Sequence, residues 1–289
     1  MQQFTDVIDQ AYDTAIEAAI LATEIILPFW SNPQNKRFNR KLALEVTEKA
    51  GGGGNYATIA DFESEKKIID VIRSKPMLRN HSILSEESEE IVADAEWRWV
   101  VDPIDGTPNF RSGNPDFGIC IALFHGQEPV VGLIAMPGLK QIVVAKKGNL
   151  ASLINYHGME LVNLKEKAES YSDPLNKALV GYDLGYEGRA SQLNFISDKV
   201  ITKVGYATCL ASFSAGNFRL LQGMMGIYFG MSPTIMDIAP AAILIPSVGG
   251  VVTDMEGKPI DWKAKKRSYI GAVNPQIHQQ FLELVNKKG

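Results

Sequence analysis

The run Trp-Arg-Trp-Val-Val-Asp-Pro-Ile-Asp-Gly-Thr-Pro-Asn-Phe at residues 97–110 constrains this chain more than any other segment. Its apolar start (Trp97, Trp99, Val100, Val101) fits a buried strand, and Pro103, which has no N–H for a ladder, predicts that the strand ends on Asp102. Asp102 and Asp105 then stand three residues apart on a tight turn. Gly106 relaxes the backbone, and Thr107 brings a hydroxyl beside amide N–H groups. Two carboxylates and the Ile104 carbonyl at one strand end form an oxygen-only donor set of the kind hard divalent cations take. A phosphate can sit on the neighbouring N–H groups.

The rest of the composition narrows the chemistry. The chain has four histidines, none spaced with Cys or another His as zinc ligands are, so a metal site here must be built from oxygen. A formal net charge of -4 argues against a general nucleic-acid binder, which carries a basic stripe. At 289 residues there is ample core for one large domain or two packed ones. Cys120 and Cys209 both sit among apolar or small residues and read as buried thiols of a reducing compartment. No basic leader precedes the first apolar residues and no window reaches the roughly 18 apolar residues of a span, so no membrane contact and a cytoplasmic location are expected.

Along the chain, Phe4, Val7, Ile8, Ala11, Ala15, Ala18, Ala22 and Ile26 follow a helical period, giving a long first helix that Pro28 helps to close. Residues 31–58 read as loop, with Lys49 followed by four consecutive glycines, Gly51–Gly54, as a mobile flap or a plain linker. A second helix is predicted over 60–72, with Asp61 in its first turn. A strand over 82–84 leads into the acidic 85–90, and strands at 117–124, 130–135 and 141–145 form an antiparallel meander. The second half alternates: strand 178–182, helix 190–197, strand 201–204, helix 209–221, strand 227–229, helix 237–245 and strand 250–252, a layered α/β pattern. The polar stretch 163–177 is the seam, and the chain divides into an N-terminal α+β region, 1–150, and a C-terminal layered region, 151–289.

Two further acids join the turn at 102–107. Glu86 and Glu87 follow Ile83 and Leu84 at another strand end, and Asp237 opens an apolar, Ala-rich helix. Taken alone, Asp237 fits a helix cap and Asp61 a helix N-terminus. Together with the central block they resemble the inositol monophosphatase family of metal-dependent, lithium-sensitive phosphatases. Ser85-Glu86-Glu87-Ser88 is similar to the family's Gly-Glu-Glu-Ser, and residues 99–110 to its Asp-Pro-hydrophobic-Asp-Gly-Thr-x-Asn-Phe block. Residues 236–250 look like its Trp-Asp-x-Ala…Glu-Ala-Gly-Gly block, and Ala57–Asp61 a Val-Thr-x-x-Asp segment. The resemblance runs in the family's order over about residues 4–275.

The resemblance implies an αβαβα sandwich, usually a homodimer, and a site that holds two or three Mg²⁺ ions, with Mn²⁺ as a substitute. Glu86, Asp102 and the Ile104 carbonyl would hold one ion. Asp102, Asp105 and Asp237 would hold a second, and such a pair clamps an in-line phosphoryl displacement. Thr107, with Glu86 or Asp61, would orient the attacking water. The Gly106 and Thr107 amides would cradle phosphate, with Lys49 on the flap to neutralise it, and Gly205 is a further candidate substrate contact.

The chain departs from the pattern at Ser85, Asn55, Pro108 and Met236, none of which removes a ligand. At Gly230, however, the family places an acid that binds substrate hydroxyls, so loops at 183–189 and 203–207 are candidates for reading the alcohol instead. The implied activity is hydrolysis of a small polyol or sugar phosphate. Alternatives are fructose 1,6-bisphosphate, histidinol phosphate or a phosphoadenosine nucleotide as substrate, or a regulatory, partner-binding protein with incidental phosphatase activity.

Overall fold

The computed structural model describes residues 2–30, 47–48, 56–185 and 188–287. Two sheets and the helices around them stack as helix, sheet, helix, sheet, helix, so the sandwich expected from the sequence is the observed fold. The first sheet has seven strands: β3 (His81–Ser85), β4 (Asp94–Asp105), β5 (Gly118–His125), β6 (Glu128–Met136), β7 (Gln141–Lys146), β8 (Ser152–Asn155) and β9 (Glu160–Val162), side by side in that order. β3 runs parallel to β4, and every later pair is antiparallel. β1 (Thr47–Glu48) and β2 (Tyr56–Ala57) pair as a separate two-residue ribbon. β8 and β9 come from beyond residue 150 and complete the first region's sheet.

The outer face of this sheet is covered by α1 (Gln2–Trp30) and α2 (Ile59–Ser74). α1 turns a stripe of small residues inward, Ala11, Ala15, Ala18 and Ala22, all fully buried, which lets its backbone approach α2 and the sheet closely. Pro28 does not stop α1, which runs two residues further to Trp30; a proline in a final turn disturbs few hydrogen bonds.

The second sheet is ordered β11 (Tyr206–Cys209), β10 (Leu179–Asp183), β12 (Ile227–Gly230), β14 (Tyr269–Ala272), β13 (Val251–Thr253). β10 is parallel to both β11 and β12, so the C-terminal ends of these three strands share one edge. Between the sheets lie α6 (Phe213–Leu221) and α8 (Ala241–Ser247). Outside the second sheet lie α5 (Arg189–Ile196) and α9 (Pro275–Asn286). One apolar cluster runs from Ile134 and Val143 of the first sheet through Phe218 and Ile245 to Tyr228, Ile270 and Phe281.

Several elements differ from the sequence reading. The strand expected at 201–204 is a π-helical turn (Ser197–Ile201) that prolongs α5, and the strand itself comes later, at β11. The helix expected over 209–221 begins only at Phe213, because Ala211, with φ at +53°, turns the chain between β11 and α6. Pro240 splits the helix expected over 237–245 into α7 (Ile235–Ile238) and α8. The polar stretch 163–177 contains α4 (Leu164–Ser170), and Cys209 is exposed while Cys120 is buried. Lys49 and Gly51–Gly54 lie outside the described residues. Among the described residues, no helix is long and apolar enough to cross a membrane.

Candidate active site

β4 carries the first two carboxylates. It does not stop at Asp102; an irregularity between Asp102 and Asp105 lets the strand continue past Pro103 and re-pair Asp105 with Gly118. Gly106 follows with φ at +85°, and a Cβ there would lie 2.8 Å from the Ser212 Cβ, so both backbone and space demand glycine. The chain then enters α3 (Thr107–Ser112). Asn109 ties this helix down, its Nδ2 donating to the carbonyls of Asp116 and Leu210 at 2.7 Å each, and Phe110 packs edge-on against Phe117. The block that looks purely catalytic in sequence is thus partly a structural fastener.

Asp105 is held from the second half of the molecule. Ser212, the N-cap of α6, donates its hydroxyl to Oδ2 at 2.5 Å, the Ser214 N–H donates to Oδ2 at 2.6 Å, and the Phe213 N–H donates to Oδ1 at 3.2 Å. A carboxylate at the start of a helix also meets the positive end of its dipole. Asp102 accepts from the Ile104 N–H at 3.0 Å.

A second cluster comes from α2. Asp61 closes a capping box with Thr58, taking both its backbone N–H and its hydroxyl on Oδ2. Its other oxygen faces Thr107, whose Oγ1 lies 3.3 Å from Asp61 Oδ1 and 3.1 Å from the Ile104 carbonyl. The cap reading and the site reading of Asp61 therefore both hold, one for each oxygen. One turn on, Glu65 Oε2 takes the Ser85 hydroxyl and, at 2.8 Å, the Glu87 N–H. These two contacts bracket Glu86. Asp237 repeats the design in α7: Oδ2 accepts the Thr234 N–H at 2.6 Å while the Thr234 hydroxyl accepts the Asp237 N–H.

Oxygens of Asp102, Asp105 and Asp237 all lie within 4.8 Å of one another. Asp102 and Asp105 are only 2 % and 6 % exposed. Burial pushes all three carboxyls up from the ordinary carboxylate range. For Asp102 the charges of Glu86, Asp105 and Asp237 add to it, and for Asp237 those of Asp105 and Glu86. On Asp105 the hydrogen bonds from Ser212, Ser214 and Phe213 pull the other way. Like charges, two of them buried and the third half-buried, with no basic group in the cluster fit a divalent cation, and an all-oxygen donor set favours Mg²⁺ or Mn²⁺ over softer ions.

These groups line one cavity of about 140 Å³, with Glu86, Ile104, Gly106 and Thr107 on the same side. The lining also includes Asp183 and Arg189, at the end of β10 and the start of α5, and Ser232 and Thr234 beyond β12. Gly205 is not among the lining residues. It sits against the Lys177 backbone at the N-terminal end of β11, whereas the carboxylates face the C-terminal ends of these parallel strands. At Gly230 a Cβ would collide with the Phe213 ring, so no acid fits there without moving Phe213. Ser212, Ser214 and Glu65 escaped the sequence reading. Ser212 before an apolar run signals a helix cap, but nothing local links it to an aspartate more than 100 residues away.

With this geometry in hand, the comparisons decide the family. The inositol monophosphatase family profile matches residues 8–289. The chain belongs to the inositol monophosphatase family. It is 27 % identical over 231 residues to the putative Nus factor SuhB of Neisseria meningitidis, covering 79 % of this chain and 84 % of that one. It is also 27 % identical to the fructose-1,6-bisphosphatase/inositol-1-monophosphatase of Thermotoga maritima, over 84 % of this chain and 88 % of that one. The crystal structure of the suppressor protein suhB from Bartonella henselae superposes with a TM-score of 0.81 over 97 % of this chain and 100 % of that one, at 24 % identity. Membership makes the chain a phosphoric monoester hydrolase by class.

Proposed function

We propose that this protein is a Mg²⁺-dependent phosphomonoesterase acting on a small polyol or sugar phosphate, with two ions bound in the carboxylate cluster. The observation that carries the reading is the meeting of Asp102, Asp105 and Asp237 oxygens within 4.8 Å beside the Thr107–Asp61 pair. Glu86, Asp102 and the Ile104 carbonyl supply one ion's ligands, and Asp102, Asp105 and Asp237 the other's. When bound, the ions polarise a water for attack and neutralise charge on the phosphate and the leaving alkoxide.

The chain's own groups do the remaining work. Thr107 Oγ1 accepts a hydrogen bond from the attacking water, and its own single proton is shared between the Ile104 carbonyl at 3.1 Å and Asp61 Oδ1 at 3.3 Å, going to Asp61 once the carbonyl serves an ion. Asp61 keeps that orientation because Thr58 occupies its other oxygen. Backbone N–H groups at Gly106 and Thr107 receive the phosphate oxygens. Lithium inhibition and a homodimer belong to the same reading.

The test is phosphate release from a panel of small phosphomonoesters, in Mg²⁺ and in EDTA, for the parent and for Asp105→Asn. Activity that needs Mg²⁺ and falls at least a hundredfold in the variant supports the reading, and an Asp105→Asn variant with parental turnover refutes the ligand assignment. The SuhB relative favours a second reading, a partner-binding role that does not need hydrolysis. A cellular function kept by an inactive Asp105→Asn protein would support it.

A further inference from the structure

We infer that Asp183 reads the alcohol half of the substrate by accepting its hydroxyls, which makes a polyhydroxylated monophosphate the preferred ester. The inference rests on the phosphomonoesterase reading of the carboxylate cluster. The cavity lining falls into two groups of different character. One holds Glu86, Asp102, Asp105 and Asp237, whose charge is matched by cations and by the phosphate. The other holds Asp183, the last residue of β10 and near enough for the Asp105 charge to act on it, with Arg189 as the one cationic lining residue among those described.

The hydrogen-bond geometry leaves Asp183 with capacity to spare. Oδ1 accepts the Leu184 N–H at 2.7 Å. The remaining neighbour is the Tyr228 hydroxyl, 3.4 Å from Oδ2, yet that hydroxyl also lies 2.9 Å from the Ser212 carbonyl. A phenol has a single proton, and the shorter contact takes it. Among the described residues Oδ2 therefore has no committed donor, and a carboxylate lining a low-dielectric cavity gains most from a donor brought by the ligand.

Position and charge fix the ligand class. In the parallel pairing of β10 with β12, Asp183 stands directly beside Gly230, where Phe213 forbids any side chain, so Asp183 holds the only carboxylate of that pair. The Arg189 charge acts on Asp183 as well, in the direction that favours the ionised carboxylate. This part of the lining suits neutral hydroxyls, which donate to Asp183. A second phosphate placed there would meet the Asp183 carboxylate.

The experiment uses three non-hydrolysable probes with the Mg²⁺-loaded protein in a calorimeter at pH 8.5, where the Asp183 carboxyl, held up to about 7 by burial, is ionised: 3,4-dihydroxybutylphosphonate, butylphosphonate and butane-1,4-bisphosphonate. The parent is expected to bind the diol at least tenfold more tightly than the other two. Asp183→Asn and Asp183→Ala are expected to shrink the preference for diol over butyl by about tenfold or more, the range for a hydrogen bond to a charged group. Equal binding of diol and butyl by the parent, or an unchanged preference in both variants, overturns the inference while the phosphatase reading stands. Tighter binding of the bisphosphonate overturns it in favour of Arg189 as a second phosphate site. A parent that binds none of the three with Mg²⁺ present defeats the phosphatase reading itself, and the inference with it.

Discussion

Asp183 offers a measurement of what a recognition group costs the fold. Burial, with a smaller push from the Asp105 charge, raises its carboxyl from 3.8 to about 7. At about 1.4 kcal/mol per tenfold change in proton affinity, that rise corresponds to about 4 kcal/mol as a ceiling, and contact with the cavity's water brings the expectation to about 2–4 kcal/mol. The folded chain holds this proton more tightly than the unfolded chain does. Between about pH 4 and pH 7 the native state thus binds more protons, and its stability falls as pH rises through that window, then levels off. Asp183→Asn keeps the shape and an acceptor for the Leu184 N–H but has no proton to lose. Urea unfolding of the metal-free proteins in EDTA, followed by tryptophan fluorescence from pH 3.5 to 8.5, should show the variant gaining on the parent by about 2–4 kcal/mol across the window. Both proteins share every other carboxylate, so the difference between the curves isolates position 183. Parallel curves from pH 4 to 7 would refute the burial argument.

Mg²⁺ should stabilise the native protein by relieving repulsion in the cluster. At a concentration about 100-fold above the dissociation constant the gain is about 2.7 kcal/mol, several degrees in Tm by scanning calorimetry, reversed by EDTA; an unmoved Tm would count against the site. Glu65→Ala removes the acceptor shared by Ser85 and the Glu87 N–H, freeing the turn that carries Glu86. Its Mg²⁺ affinity, titrated calorimetrically, should fall about 10- to 100-fold, and parental affinity would show that Glu65 does not position the ligand.

Much of the site was legible because its signals are local. Asp102, Asp105 and Thr107 fall within six residues of sequence, and strand, proline and glycine mark the turn that presents them. Asp61 and Asp237 could be read as caps, and they are caps, each closing a box with the threonine three residues before it. What stayed hidden depends on long-range pairing. The anchoring of Asp105 by Ser212 and Ser214, and the seating of Asp183 beside Gly230, exist only once the two sheets are stacked and registered. The missed elements share another cause. β8, β9 and β14 are three or four residues long, too short for an alternating pattern to declare itself, and the true start of α6 depends on a left-handed alanine that composition does not predict.

The way the cavity is split between the sheets sets how such a protein can change. Glu86, Asp102, Ile104, Asp105 and Thr107 descend from the first sheet and its connections, while Asp183, Gly230 and Ser232 stand at the end of the second. Residues at the tip of β10 can be exchanged without touching β4, which carries Asp102 and Asp105, whereas the tip of β12 leads within a few residues to Asp237, the third carboxylate of the cluster. Inherited chemistry and acquired taste are thereby kept on largely separate supports, with Asp237 as the one carboxylate of the cluster that the second sheet supplies. A lineage can drift from one alcohol to another by rewriting a few strand ends, while the apparatus that cleaves the ester passes on unaltered.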